Sequence, residues 1–426
     1  MKKARGGAWR GGSGRANGAA LLALVVVGCA GGPSLREADR TNVQLGPRPY
    51  ALLDALAPGP LRDRLDTCRE GPFRATSFSI GHRGAPLQFP EHTRESYVAA
   101  ARMGAGVLEC DVTFTKDHAL VCRHSQCDLA TTTNILATPL GERCEAFVPA
   151  QIDPDSGRPT AIATRRCCTS ELTLAEFRTL EGRLDAWNPL ATREEDFLTS
   201  TAAYRGALYD TGGTLMTHAE SIALFRELGV AMTPELKAPE VEMPHDGLTR
   251  TGYATALIAE YLAAGVDPES VFPQSFDPDD VRYWIRAQPG FGRNAVWLLD
   301  RPLAEIDDVE LGELRAEGIR TLAPPIGQLL RLDDEGRIVA TDGARRVRAA
   351  GLDLVTWTIE RSGRIRNGRV EGRPSDFYLA PLLPALENDG DVFRVIHALQ
   401  EEAEVRAIFS DWPATVTYYA NCMGID

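Results

Sequence analysis

Two histidines, an arginine and a pair of acids separated by a single residue fall within 43 residues of this chain. His82 and Arg83 stand in Ile80-Gly81-His82-Arg83-Gly84-Ala85, followed by Pro90-Glu91-His92-Thr93. Glu109-Cys110-Asp111 begins after 25 intervening residues, and His124 follows after 12 more. Imidazole titrates near neutrality, so one histidine can take a proton from a nucleophile while another protonates a leaving alkoxide. A guanidinium matches a phosphate through its planar fork. Acids two apart on a strand project to one face and can share a cation. Together these groups meet most of the needs of phosphodiester cleavage. Taken singly, each has a blander reading: a core histidine with satisfied nitrogens, or an acid in a salt bridge. Their combination and spacing carry the argument.

Such residues need a scaffold that brings distant segments to one place. Short apolar runs recur along the chain at Ser77–Gly81, Gly106–Val112, Val230–Leu236, Val271–Ser275, Ala295–Leu299, Ile319–Leu322, Leu352–Thr358 and Ala407–Ser410. Amphipathic stretches separate them: Arg94–Met103, Thr217–Leu228, Gly252–Ala264, Pro278–Ala287, Asp307–Glu317 and Gly343–Ala350. Gly104, Gly229, Gly265, Gly318 and Gly351 follow helical stretches, where a left-handed cap turns the chain into the next strand. Eight strands alternating with helices predict an α/β fold of the (β/α)8 TIM-barrel type. A doubly wound open sheet is the alternative, but no glycine-rich dinucleotide fingerprint follows the first strand. The rhythm breaks once. Roughly a hundred residues separate the second strand from the helix at 217, and they read as a long cysteine-rich insertion at about 125–215 in a loop at the catalytic mouth.

Barrel enzymes place their active site at the strand C-termini. His82 and Arg83 follow strand one, and Glu109 and Asp111 lie on strand two. Strand three ends in Pro234-Glu235-Leu236-Lys237, which brings Glu235 and Lys237 to the same rim. Three carboxylates converging there would repel one another without a cation between them. Glu109, Asp111 and Glu235 are therefore the candidate metal ligands, and an all-oxygen set favours Ca²⁺, with Mg²⁺ second, over zinc. His82 and His124 are the candidate acid and base. Arg83 and Lys237 are candidates for holding phosphate, although Lys237 could equally pair with Glu235 or Glu109. Gln274, at the end of strand four, and Trp357, on strand seven, complete the substrate-binding candidates; Trp357 could instead simply fill the barrel.

The 426 residues are 44% apolar and 25% charged, as in globular proteins. The formal net charge is −13. Residues 1–28 hold Lys2, Lys3, Arg5, Arg10 and Arg15 and no acid, so the body is more acidic still and should repel nucleic acid. The apolar run Ala19–Val27 after those basic residues is too short for a comfortable membrane span and reads as a signal peptide. Val26-Val27-Gly28-Cys29 resembles a bacterial lipobox, which makes Cys29 the expected lipidation site. The expectation is an exported, lipid-anchored protein of a bacterial cell envelope, with Ala30 favouring an outer-membrane destination in a Gram-negative source. Residues 1–29 are then signal and lipobox, 30–70 a tether and N-terminal extension, and 71–426 the barrel domain. Eight further cysteines suit disulfides in an exported chain. Cys68 and Cys422, flanking the barrel at its two ends, are the expected pair. Cys122 and Cys127 could close a small loop beside His124, and Cys144 could reach Cys167 or Cys168. Cys110 should point into the packing behind the sheet. No CxxC pair supports a structural zinc site.

The motifs resemble those of the glycerophosphodiester phosphodiesterase family: His82-Arg83-Gly84-Ala85, Pro90-Glu91-His92-Thr93, Glu109-Cys110-Asp111-Val112, Thr115-Lys116-Asp117, Pro234-Glu235-Leu236-Lys237-Ala238-Pro239, Gln274-Ser275-Phe276-Asp277 and Phe409-Ser410-Asp411-Trp412-Pro413. The resemblance runs from about Ser77 to the end of the chain and is strongest to the periplasmic, calcium-using branch. It implies a TIM barrel, catalytic His82 and His124, a metal on Glu109, Asp111 and Glu235, and release of glycerol 3-phosphate and an alcohol. The chain departs from the family pattern after His124, where Ser125-Gln126-Cys127 replaces the usual Asp, and in its long insertion. Two other functions fit parts of the pattern. One is a lysolipid phosphodiesterase like the sphingomyelinase D and phospholipase D relatives. The other is an envelope lipoprotein with a catalytically dead barrel.

Overall fold

A computed structural model describes residues 42–210, 212–371 and 376–426. Cys29, the signal segment and the start of the tether lie outside the described residues. Eight parallel strands close into a barrel: β1 (Thr76–Gly81), β2 (Ala105–Phe114), β4 (Ala231–Leu236), β5 (Gln274–Ser275), β6 (Val296–Leu298), β7 (Thr321–Ala323), β8 (Asp353–Ile359) and β9 (Ala407–Ser410). Each pairs with the next, and β9 and β2 both pair with β1 to complete the ring. A ninth strand, β3 (Leu120–Cys122), runs antiparallel to the end of β2.

The strand sequences explain the two cores. On β2, Leu108, Cys110, Val112 and Phe114 point outward into the layer between barrel and helices. Val107, on the other face, joins Ile80, Val296, Leu298, Ala323, Val355, Ala407 and Phe409 in a separate interior core. The outer ring holds α3 (Arg94–Arg102), α4 (His218–Leu228), α5 (Arg250–Ala263), α6 (Pro278–Ala287), α7 (Asp308–Ala316), α8 (Asp342–Ala349), α9 (Val392–Glu401) and α10 (Ala414–Met423). Helix α4 shows the local logic. Thr217 caps it by accepting from Glu220 N while the Glu220 side chain returns to Thr217 N, and Gly229 ends it at φ 69°. A side chain at that φ would be strained, so glycine turns the chain straight into β4.

The extension that precedes the barrel is helical. Two helices, α1 (Arg48–Ala55) and α2 (Pro60–Asp66), bury Leu52, Leu53 and Leu65 against α10, because their leucines recur at helical spacing. Cys68 and Cys422 are bonded nearby, as expected from their flanking positions. The insertion has its own small core around Leu129, Ile135, Leu172, Phe177 and Phe197. Its few strands are two or three residues long, and disulfides supply much of its order. Cys144 pairs with Cys167. Cys122 and Cys127 do not close a loop. Strand β3 lays Cys122 beside β2, where it bonds Cys110, and Cys127 bonds Cys168 across the insertion. Cys110 is buried behind the sheet as its alternation with Glu109 and Asp111 requires. No helix among the described residues is long and apolar enough to cross a membrane.

Candidate active site

The mouth at the strand C-termini holds a cavity of about 290 Å³ lined by His82, Arg83, Glu109, Asp111, His124, Glu235, Lys237, Arg361 and an aromatic wall. Glu109, Asp111 and Glu235 each bring an oxygen within 4.8 Å of the others. The sheet register does this directly, since Asp111 on β2 pairs with Glu235 on β4. All three are buried. Gln274 Nε2 donates to Glu109 Oε1 (2.9 Å) and Arg83 N donates to its Oε2 (2.9 Å). Asp111 accepts from His92 Nε2 at 2.8 Å, and Lys237 Nζ lies 2.6 Å from Glu235 Oε1.

The electrostatics show a site short of positive charge. Burial, then repulsion from Asp111 and Glu235, drives Glu109 well above the usual carboxylate range. Burial pushes Glu235 up to about 7 despite Lys237. Asp111 is the ionised member: burial opposes its charge, but Lys237 and His92 outweigh it and hold it well below the normal value. Its Oδ1 is buried and, among the described residues, has no hydrogen-bond partner. An orphaned carboxylate oxygen facing two acids that would rather be protonated fits a divalent cation bound by oxygen.

His82 is held in one orientation. Its Nδ1 donates to Asp411 Oδ1 at 2.6 Å, which leaves Nε2 as the lone-pair nitrogen facing the cavity, 3.9 Å from Glu109 Oε2. Burial, reinforced by Arg83, lowers this imidazole to about 4, so it is neutral at ordinary pH and able to accept a proton. Asp411 is itself fully buried and accepts from Arg361 Nη1 (3.0 Å) and, from the insertion, Arg205 Nη2 (3.5 Å). Arg83 takes a left-handed backbone at φ 55°, which turns its amide to Glu109, while its Nη1 contacts both oxygens of Glu91 at 3.1 and 3.2 Å. Gly84 makes this turn possible: a Cβ there would lie 2.3 Å from Ser96 Oγ.

His124 reaches the same cavity from β3. Strand β2 is ten residues long and β3 runs back along it, so His124 rests on the barrel sheet, although its sequence neighbours belong to the insertion. Burial, then Arg83 and Lys237, keeps its imidazole well below the usual value. Trp357 does line the cavity. Its Nε1 donates to Ala323 O (2.8 Å), and its ring meets Phe276, Phe377 and Tyr378 at 5.8 to 6.0 Å between centroids. Gln274 is placed differently from the expected substrate contact. It pairs in register with Glu235, donates to Glu109 and lines a separate, largely apolar cavity within the barrel. Lys237 pairs with Glu235, as one of its two readings expects, and also lines the cavity.

Several contributors were not singled out in sequence. Asp411 lies one residue past β9, where the strand-end rule applies, and stood only as part of a motif. His92 and Glu91 likewise lay unassigned in Pro90-Glu91-His92-Thr93. Arg361 follows β8 closely enough for the same rule to find it. Arg205 and Tyr378 carry no sequence signal, since they sit in irregular segments.

An extracellular protein of Arthroderma benhamiae is 41% identical over 248 residues, which is 57% of this chain and the whole of that one. Mycobacterium tuberculosis probable glycerophosphodiester phosphodiesterase 1 is 47% identical over 49 residues, covering 12% of this chain and 18% of its own. A crystal structure from Silicibacter pomeroyi, described as a glycerophosphoryl diester phosphodiesterase, superposes with a TM-score of 0.52 at 20% identity, covering 85% of this chain and 98% of that one, which is a likeness of fold. The sequence profile of the Glycerophosphoryl diester phosphodiesterase family matches residues 82–415, from the first catalytic candidate to the start of α10. Since that match spans most of the barrel and every residue of the cavity, the chain belongs to the glycerophosphoryl diester phosphodiesterase family.

Proposed function

We propose that this protein hydrolyses glycerophosphodiesters to glycerol 3-phosphate and an alcohol, using His82 and His124 for proton transfer and a divalent cation on Glu109, Asp111 and Glu235. The observation that carries this reading is the cavity itself: a buried His–Asp pair, a second histidine and three converging acids share one opening. Calcium is the favoured ion, with magnesium second, because every ligand is a carboxylate oxygen. When bound, the cation would act as a Lewis acid toward a phosphoryl oxygen.

The chain's own groups divide the remaining work. His82 Nε2 takes the proton from the attacking oxygen, whether the substrate's glycerol hydroxyl or water. Asp411 stabilises the imidazolium that forms. Arg83, braced by Glu91, and Lys237 hold the phosphate. His124 protonates the leaving alkoxide. Burial, reinforced by the cations around it, holds its imidazole neutral, and an arriving phosphate anion offsets those cations and raises its affinity for a proton. The aromatic wall of Phe276, Trp357 and Tyr378, prolonged by the exposed Phe377, faces the alcohol. That exposed strip also favours a second reading, in which the alcohol carries a lipid chain, as in a lysolipid.

Hydrolysis of glycerophosphocholine and of a lysophospholipid, each with and without chelator, tests the assignment. Calcium-restored release of glycerol 3-phosphate supports the first reading, and turnover of the lysolipid alone supports the second. No turnover with any divalent ion would leave only a barrel kept for binding. His82→Ala and His124→Ala should each abolish turnover and leave calcium binding intact. We further propose export and lipid anchoring through Cys29. Four disulfides support an oxidising compartment. Membrane fractionation of a Cys29→Ala variant tests the anchor, and retention of that variant in the membrane would overturn it.

A further inference from the structure

The histidines of the site are held in different ways. His82 is fixed by Asp411, and His92 lies between Asp111 and Tyr97. The His124 side chain makes no hydrogen bond among the described residues. With no hydrogen bond to fix it, the side chain depends heavily on its backbone for placement, and that backbone is Cys122-Arg123-His124-Ser125-Gln126-Cys127. Both ends are covalently tied. Cys122 bonds Cys110, which lies between the ligand candidates Glu109 and Asp111. Cys127 bonds Cys168, in the insertion. Four residues span the gap between the two staples, with Arg123 N donating to Asp111 O (2.8 Å) and Thr169 N donating to Gln126 O (2.7 Å).

From this arrangement we infer that Cys110–Cys122 and Cys127–Cys168 are positioning disulfides for His124, and that full turnover requires both. The inference rests on the proton-donor role proposed for His124. A short segment anchored at two points has little freedom to move its central side chain, whereas one released at either end samples many positions. Proton transfer tolerates little of that, since an ångström of misplacement can cost a hundredfold in rate. Forming each staple oxidises two thiols. They give up two protons and two electrons to a disulfide oxidant, such as oxidised glutathione, by exchange through a mixed disulfide that releases two glutathione thiols. The newly made, reduced chain would thus have its metal site and His82 in place but a mobile proton donor.

The test compares Cys127→Ala/Cys168→Ala with Cys144→Ala/Cys167→Ala, which removes a disulfide from the same insertion but not from the His124 segment. The first variant should lose at least tenfold in kcat, with KM and calcium affinity within threefold of the parent. The second should stay within twofold throughout. Adding His124→Ala should cost at least tenfold less in the Cys127→Ala/Cys168→Ala background than in the parent, while His82→Ala should cost the same in both. The inference is overturned if kcat of the first variant is within twofold of the parent, if both variants lose activity equally, or if His124→Ala costs the same in both backgrounds. Full activity of His124→Ala in the parent would instead remove the underlying role. Should the first variant not fold, graded reduction of the native protein gives the same answer. Activity should fall with opening of Cys127–Cys168 or Cys110–Cys122, mapped by mass spectrometry, and loss that tracks only Cys68–Cys422 or Cys144–Cys167 would overturn the inference.

Discussion

Replacing Asp411 with Asn should disable His82 while changing almost no volume. Asp411 is fully buried, accepts from His82 Nδ1 at 2.6 Å and balances Arg361 at 3.0 Å and Arg205 at 3.5 Å. An amide has one acceptor oxygen for three donors. Arg361 keeps its charge, so the oxygen should turn to it and present the amide NH₂ to the imidazole. His82 would then have to accept at Nδ1 and carry its proton on Nε2, the nitrogen that should be the base. Even without that rotation, the imidazolium loses a charge-assisted hydrogen bond worth about 1.5–3 kcal/mol. At 1.36 kcal/mol per tenfold, that alone is roughly a 10- to 150-fold loss, and the wrong tautomer adds to it. We expect kcat to fall at least about a hundredfold with calcium affinity unchanged. Stability should fall as well, by up to about 3–5 kcal/mol, because Arg361 and Arg205 lose their shared anion. Glycerol 3-phosphate release at saturating substrate measures the first effect and urea unfolding the second. A folded Asp411→Asn protein with kcat within threefold of the parent would show that Asp411 does not set the state of His82.

Two further changes probe other parts of the site. Glu109→Gln keeps the contact with Gln274 but removes one of three converging carboxylates, so calcium affinity should drop at least about tenfold in calorimetric titration; an unchanged isotherm would remove Glu109 from the ligand set. Burial raises the Asp128 carboxyl from 3.8 to about 6, so between these values the folded protein holds a proton that the unfolded chain has lost. Its contribution is favourable at low pH and disappears as pH rises to about 6, a change of about 3 kcal/mol. Asp128→Asn should abolish that trend, and identical pH–stability curves for the two proteins would refute it.

The parts of this molecule that were legible in sequence are those governed by a period. The apolar runs at Ser77–Gly81 and Ala407–Ser410 mark strands to within a residue, because a barrel strand is buried on both faces. Glu109, Asp111 and Glu235 were legible because alternation fixes which side chains face the barrel axis. Gln274 shows the limit of that rule, since facing inward does not say which cavity a residue lines: it pairs in register with Glu235 and donates to Glu109, yet opens onto the apolar cavity instead of the mouth. The insertion has no period. Arg205 reaches Asp411 from an irregular stretch of it, and the eight cysteines that staple the chain permit 105 pairings that composition cannot rank.

The same site should couple metal binding to pH. Without a cation, Glu235 titrates at about 7 and Glu109 above the usual range, because each is buried beside other acids. Asp111 is already ionised through Lys237 and His92. A cation needs all three as carboxylates, so binding must expel the protons that Glu109 and Glu235 hold. The sign follows. Below about 7 the ion competes with protons and binds weakly; as pH rises the competition fades and affinity increases. Calcium titrations in two buffers of different ionisation enthalpy should show net proton release near neutrality and less at higher pH. Glu235→Gln should lower affinity and reduce the protons released. If calcium bound with no proton release at pH 6, the three acids would already be ionised without it, and the charge deficit inferred from their packing would be wrong.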